Sequence, residues 1–315
     1  MRRLISYYLM DPTKNMTILV ETPVSEASFP FVAQKLMELV PEAEQVGFVH
    51  RGESDSACDS GTGTAFPTLR MAGGEFCGNA SMSAAVYYAL REGISEGTIL
   101  LDVSGAADPV EVRIRKAGNS AGADDVGSAA NKPDEIWYGR VHMPKPLSIS
   151  EERFPDGGIL PVVRFEGIAH VIIDGTDESA KSMPVAAMKQ DADLAGSLAK
   201  AWCEYLQADA VGLMFLNETH DEMRPLVYVP AAGTCIWESS CASGTTAAGV
   251  YLAQKAGLTD VAAGAVRYQL RQPGGVLEIE VTPEGDYYLM GQVAVCVRQE
   301  VMVEYDLLKK TIIVV

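Results

Sequence analysis

Two cysteines each open a near-copy of the same segment, and any fold for this chain has to accommodate that repeat. Cys77 begins CGNASMSAAVYYALREG and Cys241 begins CASGTTAAGVYLAQKAG, in register for seventeen residues without a gap. Counted from each cysteine, identities recur at Ala84 and Ala248, Val86 and Val250, Tyr87 and Tyr251, Ala89 and Ala253, and Gly93 and Gly257. The pattern predicts two similar halves, each with a thiol at the start of a helix. Unpaired backbone N–H groups and the positive dipole end at such a position favour thiolate and bind anions.

At 315 residues the chain exceeds one typical domain, and two domains can each bury a core. The expected division is 1–145 plus 292–315 for the half carrying Cys77, and 146–291 for the half carrying Cys241. In the first half, strand-like LISYYLM and MTILVET precede a helix with Val32, Leu36 and Leu39 on one face, then the strand QVGFVH. A polar, glycine-rich stretch from Arg51 to Thr64 and the strand TLRM lead to the first cysteine helix, expected to stop at Gly93. TILLDVS and VEVRIR follow as strands, and 117–133 carry no periodicity and are expected to be a surface loop. From about Pro146 the order repeats: VVRFEG, HVIID, a helix with Leu194, Leu198, Trp202 and Tyr205 on one face, AVGLMFL and PLVYV. The second cysteine helix, VRYQL, LEIEV and YYLMGQVAVCV complete the half. Alanine and glycine on each cysteine helix would let a sheet wrap closely around it. The expected class is α+β, two pseudo-symmetric domains, each a mixed sheet or barrel around a central helix, with a ligand cleft between them.

A net charge of −17 repels phosphate backbones and anionic lipid heads, which argues against nucleic-acid and membrane partners. No apolar run has the length of a membrane span and MRRLISYYLM lacks the pattern of a signal peptide, so the expected location is cytoplasmic. Six cysteines without CxxC or zinc spacing read as free thiols, and the four histidines show no metal spacing. His170, between apolar residues, reads as a core histidine, and Cys58, Cys203, Cys235 and Cys296 as structural. Neither GxGxxG nor GxxxxGK[ST] occurs, and no pyridoxal phosphate lysine has a signature, so a mechanism without cofactor or metal stands by elimination.

Inverting an amino acid at its α-carbon takes a base on one face and an acid on the other. Cys77 and Cys241 could fill those roles, because a helix N-terminus lowers a thiol pKa of about 8.5 toward the working pH. Backbone N–H groups of Gly78 and Asn79, and of Ala242, Ser243 and Gly244, could receive the substrate carboxylate, and small residues are needed there to let it approach. Glu75 and Glu238, two and three residues before the cysteines, are in range of a substrate ammonium; the plainer alternative is a solvated surface carboxylate. Both thiols could instead be buried small apolar groups, the common fate of cysteine.

FCGNASMSAA at Cys77 and SCASGTTAAG at Cys241 resemble the two catalytic cysteine motifs of the diaminopimelate epimerase family, whose superfamily includes proline racemase and the phenazine-biosynthesis isomerases. KNMTILV around Asn15 is similar to the family segment whose asparagine contacts substrate, RVHMPKP to the interdomain crossing, and QPGGVLEIEV with YYLMGQV to the C-terminal strands. The resemblance spans most of the chain and implies two-base, cofactor-independent racemisation or epimerisation; the phenazine isomerases lack the cysteine pair. Where the family holds the distal end of diaminopimelate with asparagines and an arginine, this chain has Ile168, Ala210 and Pro230, and Val229 where a glutamate is expected. Leaving a distal carboxylate unpaired there would cost about several kcal/mol. A different amino acid is therefore expected, with histidine, as in metallophore-type histidine racemases, a candidate, and Glu238 a replacement for the missing carboxylate. Diaminopimelate epimerase proper and a non-catalytic amino-acid-binding protein on the same scaffold are the alternatives. The sequence leaves open a homodimer, a Cys77–Cys241 disulfide and which thiol serves which enantiomer.

Overall fold

The computed structural model describes residues 2–50, 66–118, 135–155, 158–177, 191–257, 264–306 and 311–314; Cys58 and most of the stretches 51–64 and 117–133 lie outside them. The chain divides into two compact units, Met1–Val141 with Gly291–Val315, and His142–Met290.

In the first unit, β1 (Arg2–Pro12), β2 (Thr17–Val20), β3 (Gln45–His50), β4 (Thr68–Met71), β5 (Glu96–Val103), β6 (Val110–Lys116) and β7 (Glu135–Met143) follow one another in space as in sequence. The long C-terminal strand Tyr287–Asp306 pairs with β1 from Arg2↔Glu304 to Pro12↔Val293. Helix α1 (Phe29–Leu39) crosses from β2 to β3, which are parallel, and covers one face; Phe29 stacks on Phe48 with centroids 3.8 Å apart. Helix α2 (Gly78–Glu92) packs against β1, β2, β5 and β6, strands far apart in the order, so the sheet curls around it. Every residue of α2 from Gly78 to Ala89 is buried, and the run of glycine, alanine and serine among them leaves room for strands on several sides. The helix ends as expected at Gly93, at φ 68°, whose N–H bonds back to the carbonyls of Ala89 and Leu90.

The second unit repeats this plan. β8 (Ser148–Arg153), β9 (Ile159–Phe165), β10 (Ile168–Asp174), β11 (Val211–Leu216), β12 (Met223–Val229) and β13 (Thr234–Trp237) form a six-stranded sheet in the order β13-β12-β11-β10-β9-β8. Only β10 and β11 are parallel, and α3 (Ala192–Leu206) crosses between them as α1 does between β2 and β3. Alternation along β10 and β11 sends Val171, Ile173, Leu213 and Phe215 toward α3, and Ile172, Met214 and Leu216 toward the second cysteine helix, α4 (Ala242–Lys255). A fully buried side chain of this kind contributes roughly 1.5–3 kcal/mol. Helix α4 packs against β9, β10, β11, β14 (Val266–Gln272) and β15 (Gly275–Val281), as α2 does in its own unit. The antiparallel pair β14–β15 follows α4 as β5–β6 follows α2. The molecule is thus mixed α+β, with sheet curled around a small-residue helix in each unit.

Two helix faces differ from their predicted registers. Leu39, the last residue of α1, is 41% exposed, because the helix stops there and Val40 turns inward instead. Tyr205 is 46% exposed, and the buried face of α3 is Ala195, Ala199, Trp202, Cys203 and Leu206. Two alanines let the helix sit flat on the sheet, so the larger Leu194 and Leu198 flank the contact. β8, β13 and the run of the last strand to Asp306 had no clear signature in the sequence.

The last turn of α4 is anchored to a buried carboxylate. Asp174, 1% exposed at the end of β10, accepts from Lys255 Nζ at 2.5 Å, the Tyr251 hydroxyl at 2.8 Å, and the Thr176 N–H and hydroxyl at 2.8 Å each; His220 Nε2 lies 2.8 Å away. Burial alone would push its pKa up, but the bonds from Lys255, Thr176, His220 and Tyr251 hold it well below the usual carboxylate range. A depressed carboxylate pKa stabilises the fold fully above its unfolded value, about 3.9, and that contribution is lost as pH falls below it. Asp174→Asn is expected to cost about 3 kcal/mol in urea unfolding at pH 7. The gap from wild type should narrow between pH 4 and pH 2, and a gap constant with pH would contradict this account.

Candidate active site

Each cysteine is the N-cap of its buried helix, in extended backbone: φ −133° and ψ 115° at Cys77, φ −121° and ψ 110° at Cys241. An extended residue leading into a helix turns its side chain back over the first N–H groups, the geometry of serine and aspartate caps. At α2 the sulfur takes that role, accepting from the Ala80 N–H at 3.4 Å.

The first unit surrounds Cys77 with an amide network. Gln45 at the start of β3 donates through Nε2 to Asn15 Oδ1 and Thr17 Oγ1, both at 2.7 Å, which turns its Oε1 to the Cys77 sulfur at 2.9 Å. The Cys77 S–H is therefore the donor in that contact. Asn15 Oδ1 also accepts from Asn79 Nδ2 at 3.0 Å, and its own Nδ2 donates to Glu44. Asn15 is presented by a two-residue turn in which Thr13 and Lys14 both have positive φ, 56° and 61°, the conformation that matches the twist of a hairpin but strains side-chain-bearing residues. Asp11 holds the turn, accepting from the Lys14 N–H at 2.5 Å and from Lys14 Nζ at 2.6 Å.

The second unit treats Cys241 differently. Its N–H donates to Gln272 Oε1 at 2.8 Å, and Gln272 Nε2 donates to the Thr245 hydroxyl at 2.7 Å, which ties the end of β14 to the first turn of α4. The sulfur is buried and lies 3.7 Å from Ser243 Oγ. Burial first, then the Glu238 charge, pushes this thiol well above its ordinary pKa; the Gly244 N–H and the Ser243 hydroxyl pull the other way. Ser243 Oγ lies 3.0 Å from Nε2 of His170, a fully buried side chain on β10 whose Nδ1 has no hydrogen-bond partner among the described residues. Burial pushes the His170 pKa down to about 3, so the ring is neutral near pH 7. At Gly244, a Cβ would lie 2.2 Å from Met214 Sδ and 3.1 Å from the Cys241 sulfur, so a larger residue there would displace the Met214 side chain and crowd the thiol.

A family model described as the histidine racemase CntK N-terminal domain matches residues 4–298. The chain belongs to the histidine racemase CntK family. It is 30% identical over 297 residues to a histidine racemase of Fusobacterium nucleatum, covering 93% of this chain and 94% of the relative. It is 27% identical over 259 residues to the histidine racemase of Staphylococcus aureus, covering 79% and 80%. Two solved structures share its fold. A predicted epimerase from Pseudomonas aeruginosa has a TM-score of 0.59 and 15% identity, covering 94% of this chain and 98% of that one. A hydroxyproline epimerase from Agrobacterium vitis has a TM-score of 0.59 and 11% identity over 98% of both chains. This family member is accordingly an isomerase of the amino-acid racemase kind.

Of the residues singled out from the sequence of this racemase, Asn15, Cys77, Gly78 and Asn79 gather around the start of α2, and Glu238, Cys241, Ala242, Ser243 and Gly244 around the start of α4. Glu75 is exposed, its carboxylate folded back over Gly73. Gln45 and Glu44 lie far along the chain from Cys77 and in no motif, and Gln272 opens the QPGGVLEIEV segment, whose resemblance to C-terminal strands carries no sign of its bond to Cys241. His170 had a signal, a lone histidine in an apolar strand, but that signal is the same for a core histidine. Among the described residues no cluster of three or more histidine, cysteine or acidic side chains could hold a metal, and no helix is long and apolar enough to cross a membrane.

The opposed neighbours of Cys241 make a signed prediction. Glu238→Gln removes the anion and should lower the pH midpoint of Cys241 alkylation by iodoacetamide; Ser243→Ala removes a donor and should raise it. Midpoints moving the same way in both variants would contradict the assignment.

Proposed function

We propose that the chain racemises histidine by direct proton transfer between its α-carbon and two thiols, Cys77 and Cys241, without a cofactor. One thiolate removes the α-proton from one face while the other thiol delivers a proton to the opposite face, which inverts the centre. The observation that carries this reading is the duplicated placement of a cysteine at the N-cap of a buried small-residue helix. The N–H groups of Gly78 and Asn79, and of Ala242, Ser243 and Gly244, are assigned to the substrate carboxylate, where charge accumulates once the α-proton leaves.

The two sulfurs differ in what holds their proton. The Cys77 S–H donates to Gln45, whereas burial and the Glu238 charge favour the protonated Cys241 thiol, contrary to the lowering expected of a helix start. Glu238 comes from the segment between β13 and α4, and the position where the resemblance led us to expect a glutamate is Val229. Histidine is favoured as substrate by the activity named for the relatives in Fusobacterium nucleatum and Staphylococcus aureus. It is also favoured by the apolar Ile168 and the buried Ala210, which offer no side-chain polar atom to a second charged end.

The test is a panel of L-amino acids, diaminopimelate included, incubated with purified protein without added cofactor and resolved by chiral chromatography. L-histidine is expected to give D-histidine fastest, and Cys77→Ser and Cys241→Ser should each lose about 10²–10⁴-fold in rate. Full activity in either variant would reject the two-thiol assignment, and a preference for diaminopimelate would reject the substrate. Binding of histidine with no turnover would select a non-catalytic role.

A further inference from the structure

The duplicated tyrosine takes no part in the chemistry proposed above, yet it is among the identities of the repeat. Ten residues after each cysteine stand Tyr87 and Tyr251, and four residues further on stand Arg91 and Lys255. In the second unit both side chains converge on Asp174 Oδ2, at 2.8 and 2.5 Å. In the first unit both converge on Glu21 Oε2, at 3.4 Å from the Tyr87 hydroxyl and 3.7 Å from Arg91, while Arg298 holds the other oxygen at 2.5 Å. Asp174 ends β10 and Glu21 directly follows β2, and these strands hold equivalent places: each is antiparallel to the strand before it and parallel to the strand after it. Tyrosine, cation and carboxylate thus tie the C-terminal half of each cysteine helix to the same strand end.

Both cysteine helices are rich in alanine, glycine, serine or threonine, with Met82, Tyr87 and Tyr88 among the bulky exceptions in α2 and Tyr251 and Leu252 in α4, so few ridges lock their axial position and rotation against their neighbours. Directional hydrogen bonds supply what the small residues cannot. A slide or rotation at the tyrosine is carried by the rigid helix to the cysteine about 15 Å away, and a reacting group tolerates only about 0.5 Å of error. We propose that Tyr251, Asp174 and Lys255 form a positioning clamp for Cys241, and that Tyr87, Glu21 and Arg91 form its duplicate for Cys77. The residues of the clamp act through the helix and not on substrate.

Two readouts on the full chain test this, and only the second rests on the racemase reading. In Tyr251→Phe, the rate of Cys241 alkylation by iodoacetamide, read on its own peptide by mass spectrometry, is expected to change about threefold or more with Cys77 unaffected, because thiol reactivity follows placement against the helix N–H groups. Tyr87→Phe should do the reverse. Lys255→Arg keeps the cation and should restore the wild-type rates, whereas Lys255→Met should behave as Tyr251→Phe. The second readout is the isotope effect of α-deuterated L- and D-histidine on kcat/KM. Inversion of one centre has an equilibrium constant of one, so kcat/KM must fall equally in both directions. A misplaced thiol shows itself instead as a larger isotope effect from the enantiomer it deprotonates, and the two tyrosine variants should show opposite asymmetries. Equal changes at both cysteines, or no change at either in variants with wild-type circular dichroism, would overturn the clamp. A wild-type protein that fails to racemise histidine would sink the functional reading and leave the alkylation result to decide the clamp.

Discussion

A buried helix start with a cysteine at its N-cap is the constraint on which the rest of this structure depends. Such a helix start cannot rely on bulk water, so its donors must meet protein atoms or a ligand. Here the cap is a group that can also carry a proton, and on the proposed reading the small residues behind it let the substrate carboxylate reach the donors. The same smallness draws sheet around the helix, as Gly244 against Met214 illustrates. Packing and chemistry therefore make one demand on the sequence, and the demand is met twice.

The two copies have diverged in how they treat their thiols. Cys77 faces a neutral amide whose orientation is fixed by Asn15 and Thr17, while Cys241 faces a carboxylate and a hydroxyl that pull its proton in opposite directions. His170, kept neutral by burial, lies against that hydroxyl and adds no charge of its own. A repeat of identical sites would serve a symmetric task. On the proposed reading the task is asymmetric at any moment, since one sulfur must lack the proton that the other holds.

Much of this was legible in the sequence because it is local. Helix starts, the stop at Gly93, the small-residue faces and the repeat itself are written in consecutive residues, and the α+β class follows from them. What was hidden is non-local. Gln45 and Gln272 reach their cysteines from strands 32 and 31 residues away, and a glutamine on a strand carries no sign of what it will meet. The faces of α1 and α3 were misjudged at Leu39 and Tyr205 because periodicity alone does not say where a helix stops or which of two adjacent apolar stripes, alanine or leucine, meets the sheet. Glu238 was found by its closeness to Cys241 in sequence, with the substrate ammonium as its expected partner; the structure brings it to the thiol itself.

The central claim is that two different groups handle the proton on the two faces of one carbon. L-histidine converted in D2O to a small extent, with both enantiomers then separated and weighed by mass spectrometry, tests it most directly. Two thiols predict deuterium in the D-histidine formed and none in the L-histidine recovered, because the group that takes the proton is not the group that returns one. Deuterium appearing in the recovered L-histidine as fast as in the product would contradict the account.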